Sequence, residues 1–340
     1  MSQEIISTPP GEPGEPSWSQ PEEMDELDQG PERRAFVVSA DEHGLRIDKL
    51  LAQRCPEFSR SHFQQLLQDG AVQLGGRVLA KASAKVRVGD AVEVELRPTA
   101  QAMAFQPEAM ELRIVHEDEH LIVIDKPAGM VVHPAAGNWS GTLLNGLLAR
   151  DDKALRVPRA GIVHRLDKDT SGLMVVARDR ACMDALVALI AERKVKRQYV
   201  AMAHGAWTGA STRSVEAPIG RDPRNRLRMA VVDLAVHPGK TARTDFLCLE
   251  GGERGCWVQC TLHTGRTHQI RVHMASLRHP LVGDALYGGA PVGALQRQAL
   301  HAYRLAFAHP VTGESLEFRA PVPDDMRQAL SEWGLGYNAP

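Results

Sequence analysis

No run of about 18 apolar residues occurs in the 340-residue sequence, so nothing in it is suited to cross a membrane as a helix. The opening residues lack the order of a secretory signal. They are acidic and proline-rich, and the expected location is the cytoplasm. Cysteine is scarce: the five residues are an odd number, and Cys55, Cys182 and Cys248 stand far apart. A chain of this length buries enough core to fold without disulfides or a structural metal. Cys256 and Cys260 alternate with Val258 and Leu262 in a way that puts them on the buried face of a strand, as small core residues. A zinc site would need a second closely spaced ligand pair, and none accompanies them. His263, His268 and His273 recur every five residues, a step that alternates faces on a strand and rotates around a helix. They are not expected to converge on an ion, and neither a metal nor another cofactor is expected.

The net charge of −2 hides an asymmetry. Nine acidic residues and no lysine or arginine occur up to Glu32, which leaves about +7 on the remainder. A basic folded part suits an anionic partner. Residues 1–34 also hold six prolines and few large apolar side chains, a composition that cannot repay the entropy of ordering. They are expected to form a disordered tail.

Regular patterning begins at Arg46. Ile47, Leu50 and Leu51 share a helical face, Ser59 caps a second helix burying Phe63, Leu66 and Leu67, and Gly70 ends it. Short strands are expected at Val72–Leu74 and Val78 around a Gly75-Gly76 turn, then from Val86 to Leu96 around Gly89-Asp90. The pattern Arg46-Ile47-Asp48-Lys49-Leu50-Leu51, Ser59-Arg60 and Val88-Gly89-Asp90 resembles the S4 RNA-binding domain, here 35–98. It departs from it at Gly75, where asparagine is more usual. Lys49, Arg54, Arg60, Arg77, Lys81, Lys85 and Arg87 are its candidate phosphate contacts. A linker is expected over 99–112, then a domain over 113–330 and a short tail over 331–340. Strands at Leu121–Ile124, Gly172–Ala177, Tyr199–Ala203, Trp257–Leu262 and Leu316–Arg319, with a helix over Ala181–Lys194, imply an α+β fold on a mainly antiparallel mixed sheet with flanking helices.

The densest chemistry lies in Gly161-Ile162-Val163-His164-Arg165-Leu166-Asp167-Lys168-Asp169-Thr170-Ser171-Gly172. It is a charged loop between two apolar runs, where catalytic groups and salt-bridged turns are both at home. The segment resembles the catalytic loop of the RluA/RluD-type pseudouridine synthases. Further motifs of that family appear: Asp125-Lys126-Pro127-Ala128-Gly129 with Val132-His133-Pro134, Lys196-Arg197-Gln198-Tyr199, Thr264-Gly265-Arg266-Thr267-His268-Gln269-Ile270-Arg271-Val272-His273, and His279-Pro280-Leu281-Val282-Gly283-Asp284 with Tyr287-Gly288. Together with the S4-like part the resemblance covers about Arg46 to Met326. Its details are most similar to the branch acting on large-subunit (23S) ribosomal RNA, with other relatives acting on tRNA.

The resemblance implies that Asp167 is the catalytic carboxylate, by covalent attack or by removing the C2′ proton. Asp169 is then structural. It implies that Tyr199 stacks on the uracil near C5 and that Arg266 pairs with Asp167 and aims it. Ile270, read as sharing a strand face with Arg266 and His268, is a candidate apolar floor. Arg165 would fill the space left by a flipped base, His164 would support the loop, and Lys168 is a further candidate substrate contact. Arg221, Arg224, Arg226 and Arg228 crowd one Pro-containing loop and suit RNA phosphates. The expected partner is structured RNA, bound by a monomer. A glycosidase would want two opposed carboxylates, and a purely RNA-binding protein would not need Asp167, Tyr199 and Arg266 together.

Overall fold

The computed structural model describes residues 32–97, 102–135 and 137–336. It divides into two compact units, with the boundary between Pro98 and Thr99.

The first unit runs β1 (Glu32–Val37), α1 (Ile47–Arg54), α2 (Arg60–Gln68), β2 (Val72–Leu74), β3 (Arg77–Val78) and β4 (Ala91–Leu96). Ile47, Leu50, Leu51, Phe63 and Leu67 are fully buried between the helices and the sheet. Ser59 Oγ accepts from His62 N, satisfying one free donor at the start of α2, and Gly70 ends the helix with φ +71°. The sheet order is β1-β4-β2-β3. Two expectations fail here. Val86–Val88 is not a hairpin arm of β4: Val86 pairs instead with Gly44 and Leu45, beside the bridge from Lys85 to Arg46. The outer partner of β4 is instead β1, paired from Glu32 with Leu96 to Val37 with Ala91. Strand β1 therefore begins inside the stretch assigned to the tail, while residues 1–31 lie outside the described ones. As an edge strand with only Phe36 and Val37 as large apolar residues, it carries little periodicity to read.

The second unit contains β5 (Ile114–Glu117), β6 (Leu121–Lys126), α3 (Leu143–Arg150), β7 (Ser171–Ala177), α4 (Arg180–Ala191), β8 (Lys196–His204) and β9 (Thr212–Glu216). The short strands β10 (Ile219–Arg221), β11 (Met229–Val231) and β12 (Gly239–Lys240) form a separate small sheet. Then come β13 (Arg243–Gly251), β14 (Gly255–Leu262), α5 (Gln269–Ser276), β15 (Leu300–Ala308), β16 (Ser315–Arg319) and α6 (Asp324–Glu332). The large sheet has the order β5-β6-β7-β15-β8-β14-β13-β9, with β16 also on β15, and only β7 and β15 pair in parallel. None of the described helices is long and apolar enough to cross a membrane.

Period-two alternation sorts the side chains of β8. Tyr199, Ala201 and Ala203 join the core beneath α3 and α5, while Val200 and Met202 pack with Trp257 and α6 on the opposite face. Cys256 and Cys260 are fully buried on the same side as Val258, with Leu262 packed against them, as their alternation predicts. Two boundaries move. Helix α6 continues past residue 330, and the expected linker is tied to α3, where Asn145 Nδ2 donates to Gln106 O at 2.8 Å.

Candidate active site

The loop from Gly161 to Gly172 is fixed at both ends by backbone that leaves no room for a Cβ. At Gly161 (φ +77°) a Cβ would stand 1.8 Å from Ala177 O, and at Gly172 (φ +114°) 2.3 Å from Ala302 O. Only glycine combines that conformation with such close approach. Between these anchors Thr170 N donates to Asp167 O at 3.1 Å. Buried Lys126 donates from Nζ to the carbonyls of Pro127, Met130 and Lys168, which ties the loop to the end of β6. His164 Nε2 accepts from Val175 N at 3.1 Å, and its pKa is pushed down to about 3, first by burial and then by the charge of Arg197. A neutral ring that accepts from backbone is a fixed part of the loop.

The opposite wall comes from the turn between β14 and α5. Gln269 organises it: Oε1 accepts from Thr264 Oγ1 at 2.7 Å and Arg266 N at 3.0 Å, while Nε2 donates to Arg243 O and Thr244 Oγ1, both at 2.9 Å. His268 takes the left-handed conformation (φ +56°) and turns the chain into α5. The strand face expected to carry Arg266, His268 and Ile270 is therefore a turn followed by a helix. Ile270 is the second residue of that helix, buried and facing the cavity.

A cavity of about 380 Å³ lies between the two walls, lined among others by Arg165, Asp167, Thr170, Tyr199, Ile270 and Arg271. That is enough for a small polar ligand or a single nucleoside. Asp167 Oδ2 accepts from Arg271 Nη1 at 3.0 Å. Arg271 is in turn held by buried Asp284, with Nε to Oδ2 at 2.7 Å and Nη2 to Oδ1 at 2.8 Å. Burial works against the charge on Arg271, but its hydrogen bonds and attraction to Asp284 and Asp167 outweigh that and raise its pKa. The guanidinium also lies 5.0 Å from the centre of the Tyr287 ring. His268 Nδ1 is 2.8 Å from Tyr287 Oη, and its Nε2 is 3.9 Å from Asp167 Oδ2. Tyr199 is buried with its phenol pKa raised by that burial, and the hydroxyl has no hydrogen-bond partner among the described residues.

Arg266 does not pair with Asp167. It lines the same cavity, but its Nε donates to Thr241 O at 3.1 Å, because it precedes α5 in the turn. One helical turn into α5, Arg271 points at the carboxylate instead. Lys168 also departs from expectation: it is exposed, outside the cavity lining, with Nζ 3.4 Å from Asn138 Oδ1.

In the first unit Arg54 and Arg60 are partly committed, Arg54 to Glu42 and Arg60, with Arg46, to fully buried Asp48. Lys49, Arg77, Lys81 and Lys85 are exposed, with no carboxylate partner among the described residues. On the β10–β11 loop, Arg228 is bound to Asp222 and Arg221 to the Arg226 carbonyl, leaving the side chains of Arg224 and Arg226 exposed to solvent. His263, His268 and His273 each have separate partners, in Asp245, Tyr287 and Thr244.

A family model for RNA pseudouridylate synthase matches residues 120–276, the segment that holds both cavity walls, and one for the S4 domain matches 45–92. The ribosomal large subunit pseudouridine synthase D of Neisseria meningitidis is 47% identical over 286 residues, 81% of this chain and 75% of that protein. The chain belongs to the RNA pseudouridine synthase family, in its RluA/RluD-type group. The synthase is likewise 47% identical over 287 residues to the enzyme of the same name from Xanthomonas campestris, covering 81% of this chain and 84% of that one. Its fold matches human RNA pseudouridylate synthase domain containing 1 with a TM-score of 0.50 and 26% identity, over 66% of this chain and 86% of that one.

Sequence reasoning left Asp284, Tyr287 and Arg271 without roles, although all three stand inside the motifs quoted above.

Proposed function

We propose that the synthase converts uridine to pseudouridine in a stem-loop of large-subunit (23S) ribosomal RNA, as a cytoplasmic single chain, with Asp167 as the catalytic carboxylate. The observation that carries this is the aim of Asp167: a carboxylate on a loop fixed at both ends, oriented by an arginine that a second, buried carboxylate holds. The isomerisation breaks N1–C1′, turns the base and rejoins it through C5. Attack on the nucleoside and removal of the C2′ proton both require one carboxylate oxygen placed within contact of the ribose.

The other residues have complementary tasks. A cavity of this size takes the target nucleotide only after it leaves the stack, so Arg165, exposed at the mouth, fills the vacated position. Tyr199 and Ile270 supply a flat face and an apolar floor for uracil, with the Tyr199 ring beside C5. Lys49, Arg77, Lys81 and Lys85 with Arg224 and Arg226 contact phosphates. The substrate assignment draws on the names of the relatives. Its test is pseudouridine mapping in cells lacking the protein, complemented with wild type or Asp167→Asn. Loss of 23S sites restored only by wild type is expected. Unchanged ribosomal RNA with lost tRNA sites would move the substrate to tRNA.

A further inference from the structure

Arg197 is a buried cation without a counterion. It is the second residue of β8, is 8% exposed, and its side chain has neither a hydrogen bond nor an ion pair among the described residues; its Nε is buried and unpartnered. The other two buried basic side chains among the described residues are satisfied: Arg271 has two carboxylates and Lys126 three carbonyls. Holding a largely buried guanidinium without a partner is unfavourable, and such a site persists where a ligand supplies the missing charge. Arg197 lines the same cavity as Asp167 and Tyr199. Its surroundings reinforce the sign. Arg165, Arg193 and Arg266 also line that cavity, and none has a carboxylate partner among the described residues.

The backbone opposite is shaped to admit the side chain. A Cβ at Gly265 would stand 2.9 Å from Arg197 Nη1, so the guanidinium lies directly over the Gly265 backbone and a glycine is what leaves the space. That contact ties β8 to the turn that carries the second cavity wall.

We propose that Arg197 binds the phosphodiester adjoining the target uridine, as a buried anchor that positions the nucleotide for Asp167. A planar guanidinium presents paired donors that match two phosphate oxygens. The proposal rests on the reading that one uridine enters this cavity. Exposed arginines hold RNA by its overall charge. A recessed one takes a single phosphate, and only after the backbone has been drawn in, so its interaction favours the flipped state.

The test uses the full-length protein and a synthetic stem-loop that wild type converts, carrying a methylphosphonate at one phosphate at a time around the target. Wild type should lose kcat/KM by about 30-fold at one flanking position, the size of a charge-assisted hydrogen bond. Arg197→Gln should show a comparable loss on the unmodified RNA and be insensitive to that methylphosphonate. Its thermal midpoint should stay level or rise, because an uncompensated buried charge has been removed. Should Arg197→Gln not fold, Gly265→Ala makes the same comparison by displacing the guanidinium while keeping its charge. Equal methylphosphonate sensitivity in wild type and variant, or full activity of the variant, would overturn the anchor. Failure of wild type to convert any stem-loop offered would instead bring down the reading of the site.

Discussion

Arg271 Nη1 lies 3.0 Å from Asp167 Oδ2, across 104 residues of sequence, while the other two nitrogens of the same guanidinium are bound to Asp284. Asp284 is almost fully buried and Asp167 is partly open to the cavity. The arginine is thus clamped from behind, and the freedom that remains to Asp167 is confined by a donor that cannot swing away. Such pre-positioning is worth most when a single oxygen must reach a particular carbon or proton.

Replacing Asp167 with asparagine keeps the shape and removes the charge. We expect Asp167→Asn to abolish tritium release from C5-labelled uridine RNA, with RNA affinity held within about tenfold, or 1.4 kcal/mol. Turnover by this variant would take Asp167 out of the chemistry.

Arg271→Lys cannot reproduce the two-pronged contact with Asp284 and the third contact with Asp167 at once. It should lower kcat by about 100-fold with little change in KM, the signature of misplacement by about 1 Å. Arg266→Lys should change kcat less than about tenfold and act mainly on KM, in a salt-dependent way. Steady-state kinetics of the two variants decide which arginine serves Asp167, and the reverse ranking would restore Arg266 to that position.

In the first unit, Glu42 accepts from Arg54 and from the backbone and hydroxyl of Ser39, and these contacts hold its pKa down to about 2. A carboxylate with a folded pKa below its unfolded value stabilises the fold above the unfolded pKa and loses that contribution as pH falls through the folded one. Glu42→Gln should therefore be less stable than wild type by about 1–2 kcal/mol at neutral pH, discounted for the exposure of Arg54. The gap should close progressively as pH drops from about 4.5 to 2. Urea titrations of both proteins across that range provide the check; a gap independent of pH would assign the loss to packing.

The segment from Arg46 to Arg97 carries nine Lys and Arg against six Asp and Glu. As a separate compact unit it is expected to act as a tethered second contact for RNA. Deleting residues 1–98 should raise KM for structured RNA and flatten the salt dependence of binding, since fewer counterions are released. The kcat on a short loop substrate should change little. Kinetics at two salt concentrations test this, and an unchanged KM with a collapsed kcat would mean that the unit shapes the active site.

Local signals in the sequence carried much of the architecture. Helices α1, α2 and α4 and strands β6, β7, β8 and β14 were legible because each places apolar residues at its own period between caps or glycines. The composition of the loop around Asp167 marked it as a candidate for the same reason: charge concentrated between two apolar runs needs no partner to be seen. Strand β1 was hidden because an edge strand buries too little to show alternation. Arg271 and Arg266 are five residues apart in one motif, and no local property separates them. The choice between them depends on where the chain changes from strand to helix, which Gln269 settles through contacts to Arg243 and Thr244 on a neighbouring strand. The pairing of Arg271 with both Asp167 and Asp284, and the unpaired state of Arg197, are likewise relations between distant segments. They arise from burial and distance, which exist only once the chain has folded.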